Sequence, residues 1–190
     1  MKEQAIILAS ASPRRRQLLE WAEVPFEVRV QATEENFPKA LTPAEAAVYI
    51  ARQKALAVRN QIAEHRVVLA ADTVVVLDGV IIGKPKDEAQ AISILSQLQG
   101  QTHEVITGVT IMKGEKELSF ADVTQVTFHE LTLEQIRYYI EKYQPYDKAG
   151  AYAIQEWIGV VGIKSIRGDF YNVMGLPVSR VVKALAEFLP

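Results

Sequence analysis

Asp72 stands in the middle of the most apolar stretch of the chain, between Val67-Val68-Leu69-Ala70-Ala71 and Val74-Val75-Val76-Leu77. A carboxylate buried without a partner is strongly disfavoured and gives up its charge unless something compensates it. This one therefore calls for a cation, a set of N–H donors or an opening to solvent. A strand break or a structural salt bridge is the alternative to a catalytic acid. Lys54 sets the same problem with the opposite sign, because it shares a helical stripe with Ala47, Ile50, Ala51 and Val58. Its ammonium either snorkels out to water or projects from a packed wall into a site.

A second group of charges gathers at element ends. Ser12-Pro13 reads as the N-cap and first residue of a helix, which puts Arg14, Arg15 and Arg16 in its first turn. That end carries the positive pole of the helix and N–H groups without intrahelical partners, so each cation there is unfavourable by some ~0.3–1 kcal/mol. An anion docking at this end would turn the misfit into a binding site. Consecutive helical residues diverge by about 100°, so the three arginines cannot all face one ligand, and Arg16 is assigned to solvent. Lys84 sits in Gly83-Lys84-Pro85, at the rim between a hairpin and a helix, where a lysine is ordinarily solvated surface. Glu34-Glu35, in a polar loop, offers hard oxygen ligands for Mg²⁺ or Mn²⁺, or simply solubility.

Other chemistries lack their parts. His65, His103 and His129 form no metal-spaced pair; the chain has no Walker A motif, no GxGxxG turn and no serine elbow. What remains is a set of local cations (Arg14, Arg15, Lys54, Lys84) with acids (Glu34, Asp72), a set that suits a polyphosphate, where charge neutralisation and positioning carry most of the catalysis.

The elements that must position these groups follow from local pattern. Ile6 to Ala9 reads as a short buried strand, and Phe26 to Val30 as a half-buried one with period two. Thr42-Pro43-Ala44-Glu45 is a capping box opening a helix to about Asn60. Val67 to Leu77, the turn Asp78-Gly79 and Val80-Ile81-Ile82 make a hairpin. A helix over about Asp87 to Gln99 buries Ala91, Ile94, Leu95 and Leu98, with Gly100 as its cap. Strands follow at about His103–Met112 and Glu117–Phe128. A second capping box, Thr132 to Gln135, starts a helix with Leu133, Ile136 and Ile140 inward. Short strands are expected between Tyr146 and Gly175, and a last helix from Pro177 to Phe188. Hairpins mixed with strand–helix units predict an α/β fold with a mixed twisted sheet and flanking helices.

The chain has 190 residues, 49% hydrophobic and 23% charged, with a net charge of −2. No composition shift marks a boundary, so one domain over residues 1–190 is expected, with or without two lobes. The charge balance supplies no field for long nucleic acid. Absent cysteine excludes disulfides and thiolate sites. The apolar run near the start ends at Ala9, too short for a signal h-region or a membrane span, so the cytoplasm is the expected location.

Five strings carry a resemblance: LASASPRRRQLL, AADTVVVLDGVIIGKPKD, THEVITGV, DKAGAYAIQ and VMGLP. In order and spacing, over essentially the whole chain, they resemble the Maf family of nucleoside triphosphate pyrophosphatases. The resemblance implies an inosine-triphosphatase-like fold, elongated, with two lobes around a cleft, and often a homodimer. It implies a cytoplasmic, metal-dependent house-cleaning hydrolase that cleaves nucleoside triphosphates between the α and β phosphates, using Mg²⁺ or Mn²⁺. An association with septum formation belongs to the same expectation.

Carried onto this sequence, the family's proton acceptor is Asp72. Its phosphate-binding positions are Ser10, Arg14, Arg15, Lys54 and Lys84, and Glu34 is a carboxylate near the metal, which Asp72 also reaches. Arg14, Thr73 and Gln155 together resemble the branch acting on dTTP and UTP, and Thr73 and Gln155 are expected to read the pyrimidine. Glu156-Trp157 departs from the short glycine-bearing sequence common after that glutamine. The competing expectation is a nucleotide-sensing regulator of cell division. It would show a basic face with interleaved aromatics, against which the net charge weighs.

Overall fold

A turn with positive φ at both central residues joins antiparallel strands with the right twist, and Asp78 and Gly79 supply it at +50° and +79°. Leu77 thereby pairs with Val80, Val76 with Ile81 and Val75 with Ile82. The structure, a computed structural model, describes residues 5–189. In chain order these form β1 (Ile6–Leu8), α1 (Pro13–Trp21), β2 (Phe26–Val28), α2 (Pro43–Arg59), β3 (Val68–Leu77), β4 (Val80–Ile82), α3 (Glu88–Leu98) and β5 (Thr102–Lys113). There follow β6 (Lys116–Phe128), α4 (Leu133–Tyr143), two 3₁₀ turns (Pro145–Asp147 and Ala149–Ala151), α5 (Trp157–Gly162), β7 (Ile163–Arg167), α6 (Phe170–Met174) and α7 (Val178–Leu185).

The strands order as β2-β1-β3-β5-β6-β7, with β4 paired to β3. β1 runs parallel to β2 and β3, whereas β4 and β7 run antiparallel to their neighbours. The sheet is thus mixed and the fold α/β, as the alternation of hairpins and strand–helix units requires. No helix among the described residues is long and apolar enough to cross a membrane.

The chain divides into two compact units. One comprises the described residues up to Asp72, with Thr107–Asp122 and the chain from Gly175; the other comprises Thr73–Ile106 and Val123–Met174. In the first, Ala55 and Val58 of α2 pack with Ile7, Ala9, Val68, Ala70 and Met112. Helix α2 lies so close to β5 that a Cβ on Gly108 would come within 2.3 Å of the Ala47 carbonyl carbon, so only glycine fits there. In the second unit α3 packs on α4 and on the turn at Ala149–Ala151. His103, Phe128 and Tyr152 form a buried ring cluster with centroids 5.1–5.5 Å apart.

Several expectations are corrected. Ser12 precedes α1, but its side chain makes no capping bond. Its N–H donates instead to Ser10 Oγ at 3.3 Å. Leu133 does not face inward: it is the first residue of α4 and 48% exposed, and Tyr139 fills the inner face beside Ile136 and Ile140. β2 stops at Val28 and leaves Val28 and Val30 exposed, being an edge strand. Pro177 caps α7 rather than opening it, and the helix ends at Leu185. Between Tyr146 and Gly175 one strand forms, β7; short helical turns fill the rest.

Candidate active site

In the first unit, the turn after β1 brings Ser10 under the start of α1. Ser10 is buried, and its Oγ accepts from the Arg15 guanidinium (Nη1, 3.1 Å) as well as from the Ser12 N–H. Arg15 Nε donates to the Gly175 carbonyl at 2.8 Å. The guanidinium is thereby fixed in a fork, the geometry at which arginine is least replaceable. Arg15 is only 8% exposed, and burial lowers its pKa, a pull opposed by the negative charges of Asp72 and Glu35 and reinforced by Arg14. Arg14 is half-buried and Arg16 exposed, the division that helical divergence predicts. No acidic residue lies in the first turn of α1 to offset this positive end.

Lys54 resolves the question posed by its helix face. Its Nζ lies 2.7 Å from Asp72 Oδ1 and 2.8 Å from Glu35 Oε1. The Lys54 and Asp72 side chains are 18% and 14% exposed. Asp72 therefore meets its cation in the mid-strand position while keeping some access to solvent. The ammonium does not snorkel freely to water; it bridges two carboxylates. This ion pair and a catalytic acid are compatible: a pair held in partial burial is stable while intact, and an incoming anion can compete for the lysine.

The sequence offers Glu34 and Glu35 as a pair and the resemblance singles out Glu34, but the acid that reaches Lys54 is Glu35. Glu34 is exposed and accepts from Asn36 Nδ2 at 3.3 Å, while its neighbour turns to Lys54. Nothing in the string Glu34-Glu35-Asn36 distinguishes the two acids, because the loop has no periodicity to assign a face. Gly175, whose φ is +117°, also enters the site through its carbonyl, a backbone contribution invisible to side-chain reading.

The remaining candidates belong to the second unit. Thr73 follows Asp72 on β3 and is half-buried; Lys84 is exposed in the loop between β4 and α3. Gln155 is the exposed residue of a turn that leads into α5, following the buried run Ala151 to Ile154.

A resident metal cage is not built here. Among the described residues no group of three or more His, Cys, Asp or Glu side chains could hold a metal ion. The donor set fits a hard cation of the Mg²⁺ type nonetheless, since such ions are commonly held by one or two carboxylates together with substrate phosphates. Asp72 and Glu35, both already turned to one positive charge, are two such carboxylates.

Comparison with known proteins adds three findings. The family described as Maf-like protein matches residues 5–188. A dTTP/UTP pyrophosphatase of Cytophaga hutchinsonii is 51% identical over 96% of this chain and 83% of its own length. One of Bacillus cytotoxicus is 50% identical over 96% and 94%, and one of Phocaeicola vulgatus 47% over 98% and 97%. Among solved structures, a HAM1 protein from Coxiella burnetii aligns over 96% of this chain and 98% of its own, with a TM-score of 0.49 and 15% identity.

Proposed function

Because the chain belongs to the Maf-like protein family, we propose that it is a nucleoside triphosphate pyrophosphatase hydrolysing dTTP and UTP to the monophosphate and pyrophosphate. The observation that carries this reading is the Asp72–Lys54 pair in the same unit as the buried Arg15 fork. It joins a carboxylate able to take a proton and cations able to hold phosphate, on three different elements. Relatives of nearly equal length and about half-identical sequence bear that activity in their names.

In this reading the triphosphate docks at the start of α1, where backbone N–H groups, the helix dipole and Arg14 act on one anion. Arg15 and Ser10, bonded to each other beneath that end, add their donors to the phosphates. Lys54 leaves Asp72 for a phosphate oxygen, and Lys84 adds a further positive charge. Asp72 then accepts a proton from water as the water oxygen bonds to the α-phosphorus. The bond from that phosphorus to the α,β-bridging oxygen breaks, and pyrophosphate departs with the electron pair. Mg²⁺ or Mn²⁺, when bound, would neutralise phosphate charge. Asp72 with Glu35 or Glu34 would hold it. Thr73 and Gln155 read the pyrimidine, because an amide or hydroxyl that the bound base covers, and the wrong base leaves unpaired, penalises that base strongly.

The proposal extends to modified pyrimidine nucleotides as substrates, action in the cytoplasm, a homodimer and a link to septum formation. A substrate panel of UTP, dTTP, modified pyrimidine nucleotides, GTP and 7-methyl-GTP, with Mg²⁺ or Mn²⁺ and separate assays for pyrophosphate and orthophosphate, tests it. UTP and dTTP turnover to pyrophosphate supports the reading. Orthophosphate as the primary product defeats it, and a preference for 7-methyl-GTP moves the chain to another branch.

A further inference from the structure

Gln155 projects from a turn that is held on both sides by one phenol. Tyr139, in the buried face of α4, accepts from the Ala153 N–H at 3.1 Å and donates its own proton to Glu156 Oε2. Residues 153 and 156 flank Ile154-Gln155, so a single oxygen ties the two ends of the segment together. Lys148, itself buried, lies 3.7 Å from the other Glu156 oxygen and 2.8 Å from Asp147. Before the turn, the Tyr152 hydroxyl bonds to His103 Nε2 at 2.8 Å. After it, a Cβ on Gly159 would strike the Ile154 carbonyl oxygen at 1.6 Å, so α5 packs directly on the segment. Of residues 151–155 only Gln155 is exposed.

We propose that Tyr139 and Glu156 are positioning residues for specificity: they hold the 153–156 turn so that Gln155 presents its amide in one orientation to the base. This rests on the reading of Gln155 as a base contact, and it gives a role to Glu156, where the chain departs from the pattern it otherwise resembles. The physical reason is preorganisation. An amide held in place before the ligand arrives needs no ordering at binding, and a wrong base then meets a donor or acceptor that cannot turn away. Neither Tyr139 nor Glu156 needs to touch the nucleotide.

The test compares Tyr139→Phe, Glu156→Ala, Glu156→Gln and Gln155→Ala by two measurements. One is the ratio of kcat/KM for UTP to that for GTP; the other is inhibition by inorganic tripolyphosphate, which has no base. Tyr139→Phe and Glu156→Ala are expected to lower the ratio about tenfold, chiefly through a higher KM for UTP, the loss of about one hydrogen bond's discrimination. Glu156→Gln, which keeps an acceptor for the phenol, retains most of the ratio. Tripolyphosphate inhibition stays within about twofold throughout, since phosphate binding does not depend on the turn. If Gln155→Ala collapses the ratio while Tyr139→Phe and Glu156→Ala leave it intact, or lower turnover of all nucleotides equally, the positioning role is wrong and the base contact stands. If Gln155→Ala leaves the ratio unchanged, the base contact is wrong and the positioning role falls with it.

Discussion

Lys54 holds its ammonium 2.7 Å from the Asp72 carboxylate, so the acid at the centre of β3 is neutralised by a side chain from α2. The pairing assigns the two residues separable kinetic roles. Replacing Asp72 by Asn removes the proton acceptor and should lower kcat by roughly 10²–10⁴, the usual contribution of general base catalysis. Substrate affinity at saturating Mg²⁺ should change little. Replacing Lys54 by Met strips a phosphate-binding charge and leaves Asp72 without its cation, so KM should rise as well as kcat fall. Steady-state kinetics with UTP check the contrast, and identical profiles for the two variants would contradict it.

Arg15 and Arg16 are adjacent in sequence and opposite in environment. Arg15→Ala removes two buried hydrogen bonds, to the Gly175 carbonyl and to Ser10 Oγ, and should cost about 2–3 kcal/mol, read as a melting temperature lower by several degrees. Arg15→Lys should recover little, because an ammonium cannot reproduce the fork. Arg16→Ala, on an exposed position, should stay within about 0.5 kcal/mol of the parent in stability and close to it in activity. A melt of Arg15→Ala that matches the parent would show that the fork is not structural.

What the amino-acid pattern disclosed depended on how local the determinants are. The Thr42 and Thr132 capping boxes and the Asp78-Gly79 hairpin form as read, because each is decided within four residues. Asp72 and Lys54 stood out since each breaks an apolar pattern, and they meet. The choice of Glu35 over Glu34, the Gly175 carbonyl and the Ser10 bond that replaces a Ser12 cap are not legible, for each depends on a loop or backbone direction set by distant packing. Tyr139 does not stand out in the apolar pattern because its phenol is polar at the tip, although its ring takes the inner face that the pattern gives to Leu133.

The two acids of the 34–35 loop can be separated by metal titration. Glu35 touches Lys54 and Glu34 does not, so Glu35→Gln should raise the Mg²⁺ concentration needed for half-maximal rate by more than Glu34→Gln does. The reverse order would place Glu34, as family resemblance has it, nearer the working cation.

His103 makes stability depend on pH. Burial lowers its pKa from 6.5 to about 4, and its Nδ1 is buried with no hydrogen-bond partner. The unfolded chain then binds a proton first as pH falls. The contribution is complete above about pH 6.5 and is lost progressively toward pH 4, amounting to about 2 kcal/mol by pH 5. Burial also raises the pKa of Tyr152, which stays protonated as partner to the ring. Melting temperatures of the parent and of His103→Gln between pH 7.5 and 5 should converge as pH falls. Parallel curves would contradict the assignment.

The direct test of the central claim is hydrolysis of UTP in ¹⁸O-labelled water, with Asp72→Asn as the control. Attack at the α-phosphorus with Asp72 as proton acceptor predicts label in the monophosphate, none in pyrophosphate, and a rate that collapses in the variant. Label in pyrophosphate or orthophosphate, or undiminished turnover by Asp72→Asn, would contradict the account.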